Sequence, residues 1–244
     1  HIKSQHENVS MCFFSTPGNH DCDFSLNDIV RQRLMQTINL GVPCVEQEIV
    51  DIICKPQHNY EHFAEEMNTK IKNRLGHRYI LKVENKSIGI NLINTAWLST
   101  KQEKYGELAI PIEFLPDPNP KDVVFNISLQ HHPFHWLNPD NSALLQKYYR
   151  NCIDLSIFGH EHMIDDENSS GNQWSFKKLK GHEFQNRNGG FEGGFAVYKL
   201  SSQLSSISIF EYLWSEKDNA FDLVNETIDQ ELRKIDATQE VLFT

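Results

Sequence analysis

The apolar positions of this chain change their period several times, and each change predicts an element. From Val123 to Leu129 apolar residues flank Asn126 and Ser128, and Ile153 to Phe158 is a second short apolar run. Runs of this length closed by Gly or Pro predict buried strands. Tyr79 to Val83, a turn at Glu84-Asn85-Lys86 and Ile88 to Asn94 predict a hairpin leading into a third core strand. The first apolar run, Met11-Cys12-Phe13-Phe14, predicts a strand that ends just before Gly18-Asn19-His20-Asp21.

Helical spacing comes in between. Leu26, Ile29, Val30, Leu34 and Ile38 predict a helix within 22–40, with Asn27-Asp28 as its cap and Gly41-Val42-Pro43 as its stop. A second helix is predicted from Tyr60 to about Arg74 and a third around Ser142 to Arg150. Four prolines between 111 and 121 make a turn-rich connection. Beyond an acidic loop at 165–167, strands are predicted at Trp174 to Leu179, Gly194 to Leu200 and Ser205 to Leu213. Residues 1–214 read as one α/β domain, and 215–244 as a polar tail or linker with one helix.

At 244 residues the chain can bury a large core, and 39% hydrophobic with 11% aromatic residues is a globular composition. The formal charge of −10 argues against a broad basic surface for nucleic acid. It leaves a phosphate substrate open, because bound divalent ions reverse the sign locally. The five cysteines form no C-x-x-C pair and sit mostly in apolar runs, which predicts reduced, buried thiols and a cytoplasmic setting. No apolar run approaches the roughly 18 residues of a membrane span.

The chemistry concentrates where strands end. Asn19 and His20 follow the first apolar run, His131-His132-Pro133 follows the strand to Leu129, and Gly159-His160-Glu161-His162 follows the run to Phe158. In open α/β sheets, ligands gather beyond the carboxyl ends of strands. A lone His at such a place is more often structural, and Asn-His after Pro-Gly is also ordinary turn chemistry. Together, an amide oxygen and several imidazoles suit Mn, Fe or Zn, and the absence of paired thiolates disfavours a structural zinc. His58 and His62, four apart, could share a helix face, but Asn59-Tyr60-Glu61 between them lacks the metalloprotease pattern. The glycine-rich stretch from Asn186 to Gly194 lacks a strand-to-helix context and reads as a hairpin connection, with Arg187 as a candidate substrate contact.

Gly18-Asn19-His20-Asp21, His131-His132-Pro133 and Gly159-His160-Glu161-His162, in this order, resemble the calcineurin-like metallophosphoesterase family. The stretch Asn94-Thr95-Ala96-Trp97 is similar to one that many members carry after a strand, although a strand end with a packed Trp would look the same. The resemblance implies a four-layer α/β/β/α sandwich with two mixed sheets and a pair of divalent ions. Asn19, His131 and His160 would hold one ion and His162 would contribute to the other; His132 would be structural. His20 would stabilise the transition state or protonate the departing oxygen, and Asp21 would orient it. The implied activity is hydrolysis of phosphomonoesters or phosphodiesters, on small-molecule or nucleotide-like substrates. A metal-poor binding or regulatory module and a nuclease of the same fold are the rival readings.

Two of the family's motifs are missing. No Asp here has a His two positions later, and none of the 12 glycines is followed by Asp. Those motifs supply an Asp and a His to one ion and the Asp that bridges both. The residues before Phe14 are too few for the βαβ unit that bears them, so the sequence is expected to begin partway through a larger chain or complex.

Overall fold

The computed structural model describes residues 11–39, 45–67, 69, 72–161, 168–171, 174–180 and 193–232. Helices α1 (Ile29–Asn39), α2 (Gln47–Ile53), α3 (His58–Glu66) and α4 (Pro139–Cys152) accompany nine strands. These are β1 (Gly76–Val83), β2 (Lys86–Ile93), β3 (Phe125–Gln130), β4 (Leu155–Phe158), β5 (Asn168–Gly171), β6 (Trp174–Lys180), β7 (Gly194–Leu200), β8 (Ser206–Ser215) and β9 (Ala220–Glu231). The first six form one sheet in the order β1-β2-β3-β4-β6-β5, and the last three form a second, β7-β8-β9.

The larger sheet is mixed. The β1–β2 and β5–β6 pairs are antiparallel, while β2, β3, β4 and β6 run parallel. The smaller sheet is antiparallel throughout. Strand β2 is buried along nearly its whole length, and its apolar residues Ile88, Ile90 and Leu92 alternate with Ser87, Gly89 and Asn91. Ile88, Ile90 and Leu92 face the second sheet, joining Phe125, Leu155, Ile207 and Ile209 in one apolar cluster. On the other side, Ile93, Trp97 and Phe158 pack with Val50 and Ile53 of α2 and Leu145 and Tyr149 of α4. Three of the four expected layers, helix, sheet and sheet, are thus formed by the described residues. No helix among them is long and apolar enough to cross a membrane.

Helix α1 is capped as expected: the Asp28 carboxylate accepts the Arg31 N–H at 2.8 Å. Its buried face is different, because Ile29 and Val30 are 60% and 52% exposed while Arg31 is buried. The Arg31 guanidinium donates to the carbonyls of Ile53, Trp97 and Ser99 and to Asn27 Oδ1, so a cation ties α1 to the end of α2 and to the segment after β2. The stop at Gly41-Val42-Pro43 lies outside the described residues.

Four expectations need correction. Residues 11–14 are not a strand: Met11 and Phe13 are 49% and 42% exposed, and the segment joins no ladder. Side chains tether it instead, with Thr69 Oγ1 donating to the Phe13 carbonyl and Thr16 Oγ1 to that of Ile93. The second helix stops at Glu66, short of Arg74, whose guanidinium instead pairs with Glu61 of the helix at 2.8 Å. A short helix, α2, stands where only mixed apolar stretches were read. Ala220–Glu231, read as part of a polar tail, is a strand that pairs with β8 through most of its length.

Of the five cysteines, Cys54 and Cys152 are buried, Cys22 is half-buried and Cys12 is exposed, all four as free thiols. Cys44 lies outside the described residues.

Candidate metal centre

Parallel pairing sets the site. Because β3 and β4 lie side by side in parallel, His131 and His160 leave the sheet at the same edge. The Gly159 N–H donates to the carbonyls of Gln130 and His131, locking one loop onto the other. His160 takes a left-handed backbone (φ 68°), a costly conformation for a residue with a Cβ, and one that recurs where geometry is imposed for function.

Asn19 arrives from the other side. The Gly18 N–H donates to Asp21 Oδ2 at 2.7 Å, and the Asp21 N–H to the Gly18 carbonyl, which winds Asn19–Asp21 into a single tight turn. Asn19 Oδ1 then lies 2.9 Å from His131 Nε2, across 112 positions of sequence, and His160 Nδ1 lies 3.0 Å from the same nitrogen. Two glycines make room for the central ring. A Cβ on Gly18 would stand 2.8 Å from ring atoms of His131, and one on Gly159 would stand 3.1 Å from His131 Nδ1.

His132 lies close enough to be a third imidazole, since ring nitrogens of His131, His132 and His160 all fall within 4.8 Å of one another. Its hydrogen bonds assign it another task. The Thr95 hydroxyl accepts the His132 backbone N–H at 2.8 Å and faces Nδ1 at 3.3 Å, while Nε2 faces Glu103 Oε2 at 3.3 Å. The consistent tautomer has Thr95 donating to Nδ1 and Nε2–H donating to the carboxylate, which occupies both ring nitrogens. Burial would raise the Glu103 pKa, but the hydrogen bonds from His132 and Ser99 hold the group below its ordinary range. The pair buttresses the site, with the His132 ring edge-on to His131 at 4.7 Å and over His160 at 4.4 Å.

Trp136 closes the far side, edge-to-face with His160 at 4.1 Å. Its indole N–H donates to Glu161 Oε1 at 3.0 Å, and the same oxygen pairs with His135. Sequence reasoning missed Glu103, which sits in an ordinary polar loop, and the pairing role of Thr95. Both readings of the stretch around Trp97 hold together: Trp97 is fully buried, and Thr95 beside it reaches the histidine loop.

His20 and Asp21 are exposed and line a cavity beside the cluster. Cys22 also lines it, but burial pushes its thiol up to about 11, so it stays protonated at neutral pH and is a poor nucleophile. His58 and His62 are both exposed and lie outside the histidine cluster; the nearest acid to His62 is Glu66, at 3.9 Å. His162 and Arg187 lie outside the described residues.

The calcineurin-like phosphoesterase family model matches residues 2–163, a span that holds every residue of this cluster. The chain belongs to the calcineurin-like phosphoesterase family. Its members are generally phosphoester hydrolases that bind divalent metals, and the cluster offers donors of the right kind. No curated protein matches the chain. Among solved structures, a Vps29 double mutant from Entamoeba histolytica is similar at 15% identity, covering 79% of this chain and 88% of that one, with a TM-score of 0.30.

Proposed function

We propose that this phosphoesterase-family chain is a metal-dependent hydrolase of phosphomonoesters or phosphodiesters carried by small molecules or nucleotides. Asn19, His131 and His160 hold one divalent ion, and His162 belongs to the second of a dinuclear pair, with Mn, Fe or Zn as the ions that suit these ligands. The observation that carries the reading is the convergence of Asn19 Oδ1 and His160 Nδ1 on His131 Nε2, within 3.0 Å. One amide oxygen and two imidazole nitrogens, brought together from three separate loops, have no structural need for one another. Metal ions so held supply charge neutralisation at the phosphoryl oxygens and a water acidic enough to attack near neutral pH.

The chain's own residues do the rest. His20, next to the ligand Asn19 and open to the cavity, gives its proton to the departing alkoxide. Asp21 holds the turn that aims Asn19 and His20, through its bond to the Gly18 amide. Thr95, His132 and Glu103 fix the loop that carries His131. The buried free thiols of Cys54 and Cys152 support a cytoplasmic setting.

The test is turnover of bis(p-nitrophenyl) phosphate and p-nitrophenyl phosphate with added Mn²⁺, Fe²⁺ or Zn²⁺. Hydrolysis abolished by chelation and by His160→Ala is the expected result. Hydrolysis that survives His160→Ala, or none with any of the three ions, overturns the reading.

A further inference from the structure

Beside the candidate metal centre, between the Ser15–Asp23 segment and α3, lies an open cavity of about 500 Å³. His20 and Asp21, from the turn that carries Asn19, line it together with Asp23, Asn59, Tyr60 and Phe63, among others. Asn59 and Phe63 are one turn apart on α3 and so share a face. The Phe63 ring is 46% exposed yet fixed, edge-to-face against Phe13 at 5.7 Å. The Tyr60 hydroxyl is pinned to Ser15 Oγ at 2.9 Å, which leaves its ring as a wall.

Charge makes this cavity selective. Asp21 and Asp23 line it, and among the described residues no lysine or arginine does. Asp23 Oδ1 accepts from the Ser25 N–H and hydroxyl, bonds that favour its ionised form. An aromatic face beside carboxylates attracts an ammonium group, while a second anionic group on the substrate would meet the Asp21 and Asp23 carboxylates. His20 lines the cavity and shares a tight turn with Asn19, so an alcohol departing from phosphorus into the cavity could collect its proton there.

We propose that the cavity receives the alcohol portion of the phosphoester and selects an amine-bearing, positively charged one. The substrate class is then an aminoalkyl phosphoester, either a primary or a quaternary ammonium. This rests on the phosphoesterase reading, and it adds the leaving group, which neither the family nor the metal cluster specifies.

Three small esters of similar length test it on the full chain with Mn²⁺: phosphocholine, glycerol 3-phosphate and 3-phosphoglycerate, which carry cationic, neutral and anionic alcohol portions. The expected kcat/KM falls in that order, by about tenfold or more from first to last. Asp23→Asn, which keeps an acceptor for Ser25, should shrink the ratio of the first to the last towards one. Phe63→Ala should lower kcat/KM for phosphocholine by more than for glycerol 3-phosphate. A flat or inverted order, or a ratio unmoved by Asp23→Asn, overturns the proposal. Choline alone, followed by ligand-observed NMR, separates the two readings. If no ester is hydrolysed but choline binds and Asp23→Asn abolishes binding, the cavity stands and the phosphoesterase reading falls. If no ester is hydrolysed and choline does not bind, both fall.

Discussion

The ring of His131 occupies the space that a side chain on Gly18 would need, with ring atoms 2.8 Å from where its Cβ would stand. Gly18 has φ −104° and ψ 176°, extended backbone that any residue adopts, so its role is one of space and not of conformation. Gly18→Ala should therefore fold normally and still push the imidazole away from Asn19 and His160. Titration calorimetry with Mn²⁺ should show an affinity about tenfold to a hundredfold weaker, the range seen when residues that orient ligands are disturbed. Unchanged affinity would mean that the His131 ring moves without consequence and is no ligand.

His20 and His160 should separate by readout. His20→Asn removes a proton donor and should cut kcat by about a hundredfold or more, with metal content unchanged in elemental analysis. His160→Ala should lower metal content as well as rate. It should also cancel the rise in melting temperature that Mn²⁺ gives the wild type, since a ligand stabilises only the state that binds it. Loss of metal in His20→Asn would make His20 a ligand and empty the proton-donor assignment.

Arg31 is a buried cation whose donors satisfy three backbone carbonyls and the Asn27 amide oxygen. Arg31→Met keeps the stem and leaves those carbonyls without a donor. The expected cost is about 3 kcal/mol, read as a lower urea midpoint with an unchanged slope. A shift of under about 0.5 kcal/mol would show that water replaces the guanidinium freely.

A pH effect should come from His77, whose ring packs edge-on against Tyr79 at 4.5 Å. Burial, with the charge of Lys72 adding to it, lowers its pKa below the ordinary 6.5, so the unfolded chain binds the proton first as the pH falls. Stability present above about pH 6.5 is then lost as the pH drops through the folded value. His77→Phe should flatten the fall in melting temperature between about pH 7 and pH 5. An equally steep fall in the variant would assign it to other groups.

The sequence was most informative where one pattern served one purpose. The alternation around Phe125 to Leu129, the run into Phe158 and the hairpin before Asn94 all became strands of the larger sheet, because their apolar side chains have nowhere else to be buried. Met11 to Phe14 has the same local character and is not a strand, because strand pairing needs a neighbour and this segment is held by the Thr16 and Thr69 side chains instead. Ala220–Glu231 failed in the opposite direction. Its polar residues face water on an outer strand, so the pattern reads as a tail until β8 supplies the ladder.

The sequence by itself determined which residues could bind a metal, since Asn19, His131 and His160 stand at the ends of segments whose composition already marks where the chain must turn. Only the tertiary structure decided that Asn19 Oδ1 and His160 Nδ1 both lie within 3.0 Å of His131 Nε2. The same holds for His132, which was separated from its neighbour by Thr95 and by Glu103, a carboxylate 29 positions away. The reason is physical: a local pattern fixes how a segment buries its own apolar side chains. Convergence of donors depends on the parallel register of β3 with β4 and on two glycines that leave room for one ring.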